Sequence, residues 1–116
     1  IDARYYPWGN DWHSKKFSGS GNTDGVDNSL DISVYGVLGL ASNVREWVYD
    51  WYDDTYYLNS PSFNPLGPTT GDYRVLRGGA FVYEGPVEQL AAHRESAEPD
   101  YSTYYIGFRC ALDASK

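Results

Sequence analysis

The sequence predicts one domain, residues 1–116, built from short strands joined by long ordered loops. Three observations predict it. The segments with β-branched and aromatic content are brief, the stretches between them are dense in Gly, Pro, Asn and Ser, and the apolar content is mostly ring-bearing. Twelve Tyr, four Trp and four Phe stand among 41% hydrophobic residues in a chain of 116, too short for more than one core. Rings with polar edges suit a core crossed by many loops, so packing is the first role expected of them.

Each element follows from its residues. Between Ser18 and Asp31 nearly every side chain favours turns or local side-chain-to-backbone bonds, which predicts a long loop. A loop of that length in a compact domain calls for something to fix it, such as a bound cation or a partner. Asp24, Asp27 and Asp31 with Asn22 and Asn28 offer hard oxygen donors there, though not in the order an EF-hand demands. Residues 44–52, V-R-E-W-V-Y-D-W-Y, satisfy both a helical and an alternating period. Their β-branched and aromatic side chains favour the strand, because such residues lose χ1 freedom in a helix.

Pro61, Pro65, Gly67, Pro68 and Gly71 exclude a helix interior or a central strand, which makes 59–71 a crossing loop. Residues 73–77, Y-R-V-L-R, form the next predicted strand, ended by Gly78-Gly79, where a missing Cβ permits close backbone approach. Shorter strands are expected at 90–93 and 106–111.

A net charge of −7 argues against nucleic acid, since phosphate binding needs clustered Lys and Arg and the one basic run is Lys15-Lys16. The single cysteine, Cys110, has no internal disulfide partner and reads as an inert residue on the last strand. No apolar run approaches ~20 residues, so no membrane insertion by this chain is expected. The start at Ile1 without Met suggests a processed or trimmed piece of something longer. His13 and His93 are isolated, without the neighbouring ligands that zinc or non-haem iron needs.

Six ordered blocks then stand out: Y-P-W-G-N at 6–10, Y-G-V-L-G-L-A-S-N-V-R-E-W at 35–47, D-W-Y-D at 50–53, S-P-S-F-N-P-L-G-P at 60–68, R-V-L-R-G-G at 74–79 and G-F-R-C-A at 107–111. In order and spacing they resemble the C-terminal portion of the formylglycine-generating-enzyme (sulfatase-modifying factor) family. The resemblance implies an α+β variant of the C-type-lectin-like fold with little helix. Such a fold needs buried arginines to bond loop carbonyls, and Arg74, Arg77, Arg94 and Arg109 are available for that.

The resemblance further implies Ca2+, with Asn43 and Glu46 as side-chain ligands and Val44 through its backbone oxygen, and a second site at Asp24 and Val26. The alternative for Asn43 and Glu46 is a turn cap plus a salt bridge to a nearby Arg. Relatives often read D-M-A-G-N where this chain has G-L-A-S-N, which alters positions 39 and 42. Catalysis in the family rests on two cysteines that bind copper, and soft thiolates are what Cu(I) selects. Here Tyr83 and Glu88 stand at those positions, so the sequence predicts no enzyme and no catalytic residue.

The function expected is therefore a non-catalytic binding or structural module, engaging a protein partner or the missing N-terminal portion. Its contact surface is the 80–105 segment, where Phe81, Tyr83, Tyr101, Tyr104 and Tyr105 are interspersed with small, polar and acidic residues as in paratopes. The D-Y-S-T-Y-Y run resembles the composition of retroelement-diversified lectin-fold proteins. The alternative is the accessory half of an oxidoreductase, of formylglycine-generating or sulfoxide-synthase type, whose catalytic residues lie outside this chain.

Overall fold

The computed structural model describes residues 3–12, 21–25, 27, 30–82 and 85–112. These form β1 (Arg45–Trp51), a 3₁₀ turn (Tyr56–Leu58), β2 (Arg74–Arg77), β3 (Glu95–Ala97) and β4 (Ile106–Gly107), with no α-helix among them. The strands make one mixed sheet in the order β3-β2-β1-β4. β2 lies antiparallel to β1 with Glu46 opposite Arg77 and Trp47 opposite Leu76, and β3 lies antiparallel to β2. β4 is parallel to β1, pairing Arg45 with Ile106.

The two strands expected from β-branched and aromatic content, 44–52 and 73–77, are found as β1 and β2. The other two differ from expectation. Residues 90–93 form tight turns, in which Leu90 N–H donates to Val87 and His93 N–H to Leu90, and the strand follows at Glu95–Ala97. The backbone there joins β2 despite a sequence of weak strand propensity, because an open ladder position outweighs propensity. The last strand stops at Gly107 rather than Ala111. Beyond it Arg109 folds back over the 38–39 carbonyls, which leaves Cys110 exposed rather than in the core.

Val75 and Leu76 of β2 are 2% and 3% exposed, and Ala41, Ala80 and Phe81 complete a small centre with Tyr6. Burying each of the two larger aliphatic side chains contributes about 1.5–3 kcal/mol. The expectation that rings fill the core needs correcting: among the described rings only those of Tyr6 and Phe81 are buried. Four of the others, Tyr49, Trp51, Tyr52 and Tyr57, lie against arginines. The Arg74 guanidinium carbon lies 3.6 Å from the Trp51 ring centre, and that of Arg94 sits 5.0 and 4.8 Å from the rings of Tyr52 and Tyr57.

The glycine pair after β2 lets the chain pass against the loop before β1. A Cβ on Gly78, whose φ is +78°, would fall 2.7 Å from the Leu40 carbonyl oxygen, and one on Gly79 would fall 2.9 Å from that of Ala41. Both distances are below van der Waals contact, so this crossing accepts only glycine at position 78 without backbone movement. The crossing brings 40–46, 77–81 and 89 together, and the candidate sites lie on either side of it.

Candidate functional site

Two clusters emerge, one of oxygen donors in the loops before β1 and one of rings beyond β2. In the first, Asp31 is fully buried, and its Oδ2 accepts from Ala41 N–H at 2.9 Å and from the Ser42 hydroxyl at 2.7 Å. Through that oxygen its carboxylate fixes the turn into β1, while Oδ1 is buried without a hydrogen-bond partner. Asn43 occupies the left-handed region, φ 71°, which Asn tolerates better than most residues. Its carboxamide pairs with the backbone of Asp24, accepting from the amide at 3.0 Å and donating to the carbonyl at 3.3 Å. The two calcium candidates read from sequence are therefore neighbours. Val26, the fifth candidate ligand, lies outside the described residues, as do Asn28, Ser29 and His13.

Glu46 accepts from Arg109 with both carboxylate oxygens, Nε lying 2.8 Å from Oε1 and 2.7 Å from Oε2. Arg109 also donates to the carbonyls of Leu38 at 3.0 Å and Gly39 at 2.9 Å. The hydrogen-bonded carboxylate beside it raises the guanidinium pKa above its ordinary value, with burial pulling the other way. A cavity of about 340 Å3 opens among Gly25, Asn43, Val44, Glu46 and Arg109. Its hard oxygen donors suit Ca2+. The guanidinium already neutralises Glu46. Among the described residues no three His, Cys, Asp or Glu side chains converge on a metal position, and such a cation would lean on amide and backbone oxygens.

The second cluster joins most of the expected contact residues. The Phe81 ring centre lies 5.9 Å from that of Tyr104, and Tyr104 meets Tyr105 edge to face at 5.3 Å. The hydroxyls of Tyr105 and Tyr101 are 3.3 Å apart. Phe81 is buried and anchors the series, while Tyr104 is 74% and Tyr101 46% exposed. A cavity of about 320 Å3 lies between Tyr101 and Tyr105 on one side and the β3 edge on the other. Tyr83 lies outside the described residues. Glu88, at the second position where the family resemblance would place a thiol, is half-buried next to the Gly79 crossing.

Sequence reading missed a charged chain beneath the rings. Arg45, 8% exposed, pairs through Nη1 with Glu95 Oε2, and Glu95 Oε1 lies 3.1 Å from His93 Nε2. Fifty residues separate Arg45 from Glu95, and no local pattern signals such a pairing. The isolation expected of His93 thus gives way to a carboxylate contact. The expectation that the arginines bond loop carbonyls is met by Arg77, which donates to His93 at 2.6 Å, and by Arg109, whereas Arg74 donates to the Tyr49 carbonyl within β1 and Arg94 stacks on Tyr52 and Tyr57.

Residues 2–114 match the family described as the sulfatase-modifying factor enzyme 1-like domain. The formylglycine-generating enzyme of Streptomyces coelicolor is 37% identical over 132 aligned residues, covering 98% of this chain and 42% of that protein. The chain thus spans less than half the length of this relative. Among solved structures, Treponema denticola variable protein 1 superposes with a TM-score of 0.58 at 32% identity, over 66% of this chain and 27% of that one. PvdO from Pseudomonas aeruginosa superposes with a TM-score of 0.62 at 22% identity, over 88% and 42%, a likeness of fold. The expectation that the chain is no enzyme is overturned by these comparisons, since a relative matched along nearly the whole chain is named for an enzymatic activity. The replaced thiol positions, Tyr83 and Glu88, were too narrow a basis for it. With the loop cluster, the crossing at Gly78-Gly79 and the sequence match running from residue 2 to residue 114, this chain belongs to the sulfatase-modifying factor enzyme 1-like domain family.

Proposed function

We propose that this chain supplies the recognition surface of a formylglycine-generating-enzyme-type domain, a variant of the C-type-lectin-like fold. In this reading segment 80–105 contacts a protein ligand through Tyr101, Tyr104 and Tyr105, with Phe81 as the buried anchor. Activity belongs in this reading to the complete protein, of which these 116 residues supply one portion. The rest of the polypeptide is then the chain's first partner.

The observation that carries the reading is the ring series from Phe81 to Tyr101, buried at one end and exposed at the other. Tyrosine offers a large, stiff contact area and a hydroxyl at small entropic cost, and a ring propped by its neighbours loses less freedom on binding. The same reading includes a Ca2+ ion held by Asn43, the Val44 carbonyl oxygen and Glu46, with Asp24 and Val26 alongside, tying the 21–27 loop to the start of β1.

The test is selection of peptides from a random displayed library on the chain, followed by replacement of Tyr101, Tyr104 and Tyr105 with Ala. Selected peptides should lose binding at least about a hundredfold, by the scale of aromatic contact residues, while the melting temperature stays close to that of the parent. Peptides that bind the triple variant equally well would reassign the surface.

A further inference from the structure

On the opposite side of the crossing a groove of about 630 Å3 runs along β1, walled by Leu40, Trp47, Val48 and Leu90 and bordered by Arg77 and Gln89. Two of its residues are poorly matched to their surroundings. Gln89 is fully buried, yet neither its carboxamide oxygen nor its nitrogen has a hydrogen-bond partner. Buried polar groups are nearly always paired. Arg77 is half-buried and donates to the His93 carbonyl, but no carboxylate among the described residues comes within 4.0 Å of it.

Desolvation lowers the Arg77 pKa, an effect opposed by the more distant Tyr57 and Asp50 and reinforced by Arg94. A guanidinium removed from water without a counter-ion is costly unless something supplies the negative charge. The other charges on the groove wall do not supply it, because Glu46 is committed to Arg109 on both oxygens. In a chain of net charge −7 this wall carries two guanidinium groups against one carboxylate, so the local balance is opposite to that of the whole.

We propose that this groove binds a small carboxylic acid with an apolar body. The carboxylate is held by Arg77 and by the Gln89 amide nitrogen, which comes into the groove by a change of side-chain torsions. The body lies against Leu40, Trp47 and Leu90. The acid provides a close counter-charge that no described residue gives Arg77, accepts from the Gln89 amide nitrogen, which has no acceptor, and covers apolar wall that otherwise faces solvent. The site is separate from the tyrosine surface and does not depend on it.

Trp47 on the groove wall provides the readout, through its indole N–H resonance. The chain is titrated with 3-phenylpropionate, with 3-phenylpropanamide, and with acetyl-Leu-Phe as the free acid. The expected result is a saturable shift of Trp47 by 3-phenylpropionate and affinity at least about tenfold weaker for the amide, the scale of a hydrogen bond to a charged group. Arg77→Gln should abolish that preference, and Arg77→Lys should keep part of it. If Arg77→Gln does not fold, Gln89→Leu serves in its place, removing the carboxamide donor while filling the site, and should reduce the preference for the acid. Replacing Tyr101, Tyr104 and Tyr105 with Ala should leave it intact. Equal affinity for acid and amide, no saturable shift, or a preference that persists in Arg77→Gln or, in its place, in Gln89→Leu would overturn the proposal. Tighter binding of acetyl-Leu-Phe than of 3-phenylpropionate would also overturn it, by assigning the groove to a chain terminus.

Discussion

Arg109 holds Glu46 across 63 positions of sequence, its Nε 2.8 and 2.7 Å from the two carboxylate oxygens. The pair fastens the chain beyond β4 to β1, and the same guanidinium closes over the carbonyls of Leu38 and Gly39. Replacing Arg109 with Ala therefore releases three segments at once. Because the Arg109 side chain is 38% exposed, solvent recovers part of the loss, and destabilisation of about 1–3 kcal/mol is expected by urea unfolding. The pH dependence has a definite sign. A pKa raised on folding adds stability that is complete below the unfolded value and lost only as pH climbs through the folded one. For Arg109 that window lies far above neutral pH, because the guanidinium pKa is raised from an already high value, so the contribution of its charge should not vary between pH 6 and 9.

Two glycines of nearly equal φ separate conformational from steric cost. Gly36, φ +77°, has open space where a Cβ would go, whereas Gly78, φ +78°, would place one 2.7 Å from the Leu40 carbonyl oxygen. Gly36→Ala should cost about 1–2 kcal/mol, the penalty of the left-handed region. Gly78→Ala should cost at least about twice that or prevent folding, since backbone cannot yield as a side chain does. Equal melting temperatures for the two variants would show that the crossing is looser than these contacts imply.

β1 and β2 were legible because V-R-E-W-V-Y-D-W-Y and Y-R-V-L-R carry side chains that pack on a pleated surface. β3 was not, because Glu95, Ser96 and Ala97 have no such character and pair only where β2 offers an edge. Composition pointed to Tyr101, Tyr104 and Tyr105, and their short spacing made contact among them foreseeable. The Arg45–Glu95–His93 chain and the partnerless Gln89 had no local signal, since both depend on how distant segments meet. For Asn43 and Glu46 the sequence allowed either cation ligands or a turn cap with an ion pair. Only the fold shows that Arg109 is the arginine within reach.

Calcium would act on this loop cluster through linkage. An ion bound by the folded chain and not by the unfolded one raises stability by an amount set by its concentration relative to its Kd, about 2.7 kcal/mol at a hundredfold excess. Millimolar Ca2+ should raise the melting temperature, excess chelator should reverse the rise, and Asn43→Ala should remove the response. A melting curve indifferent to both Ca2+ and chelator would remove the metal and leave Asn43 as a turn residue.

The turn before the 3₁₀ segment should titrate in acid. Asp53 Oδ1 accepts from both the Thr55 amide and the Thr55 hydroxyl at 2.7 Å, and those bonds hold its pKa below 3.8. A depressed pKa adds order that is present above the unfolded value and lost as pH falls through the folded one. The Thr55 amide resonance should therefore hold steady down to pH 4 and move below it, and Asp53→Asn should abolish that movement.

Cys110 tests where the sheet ends. Had the last strand run to Ala111, its thiol would have been buried and slow to react; with β4 ending at Gly107 it is exposed and carries no disulfide. A thiol in that position meets reagent without any opening of the fold. The native chain should react with one equivalent of a thiol-specific disulfide reagent at the same rate with and without mild denaturant. A rate that rises with denaturant would mean that residues 108–111 stay on the sheet, and that the Arg109 grip on Glu46 is made from within the strand rather than from the loop beyond it.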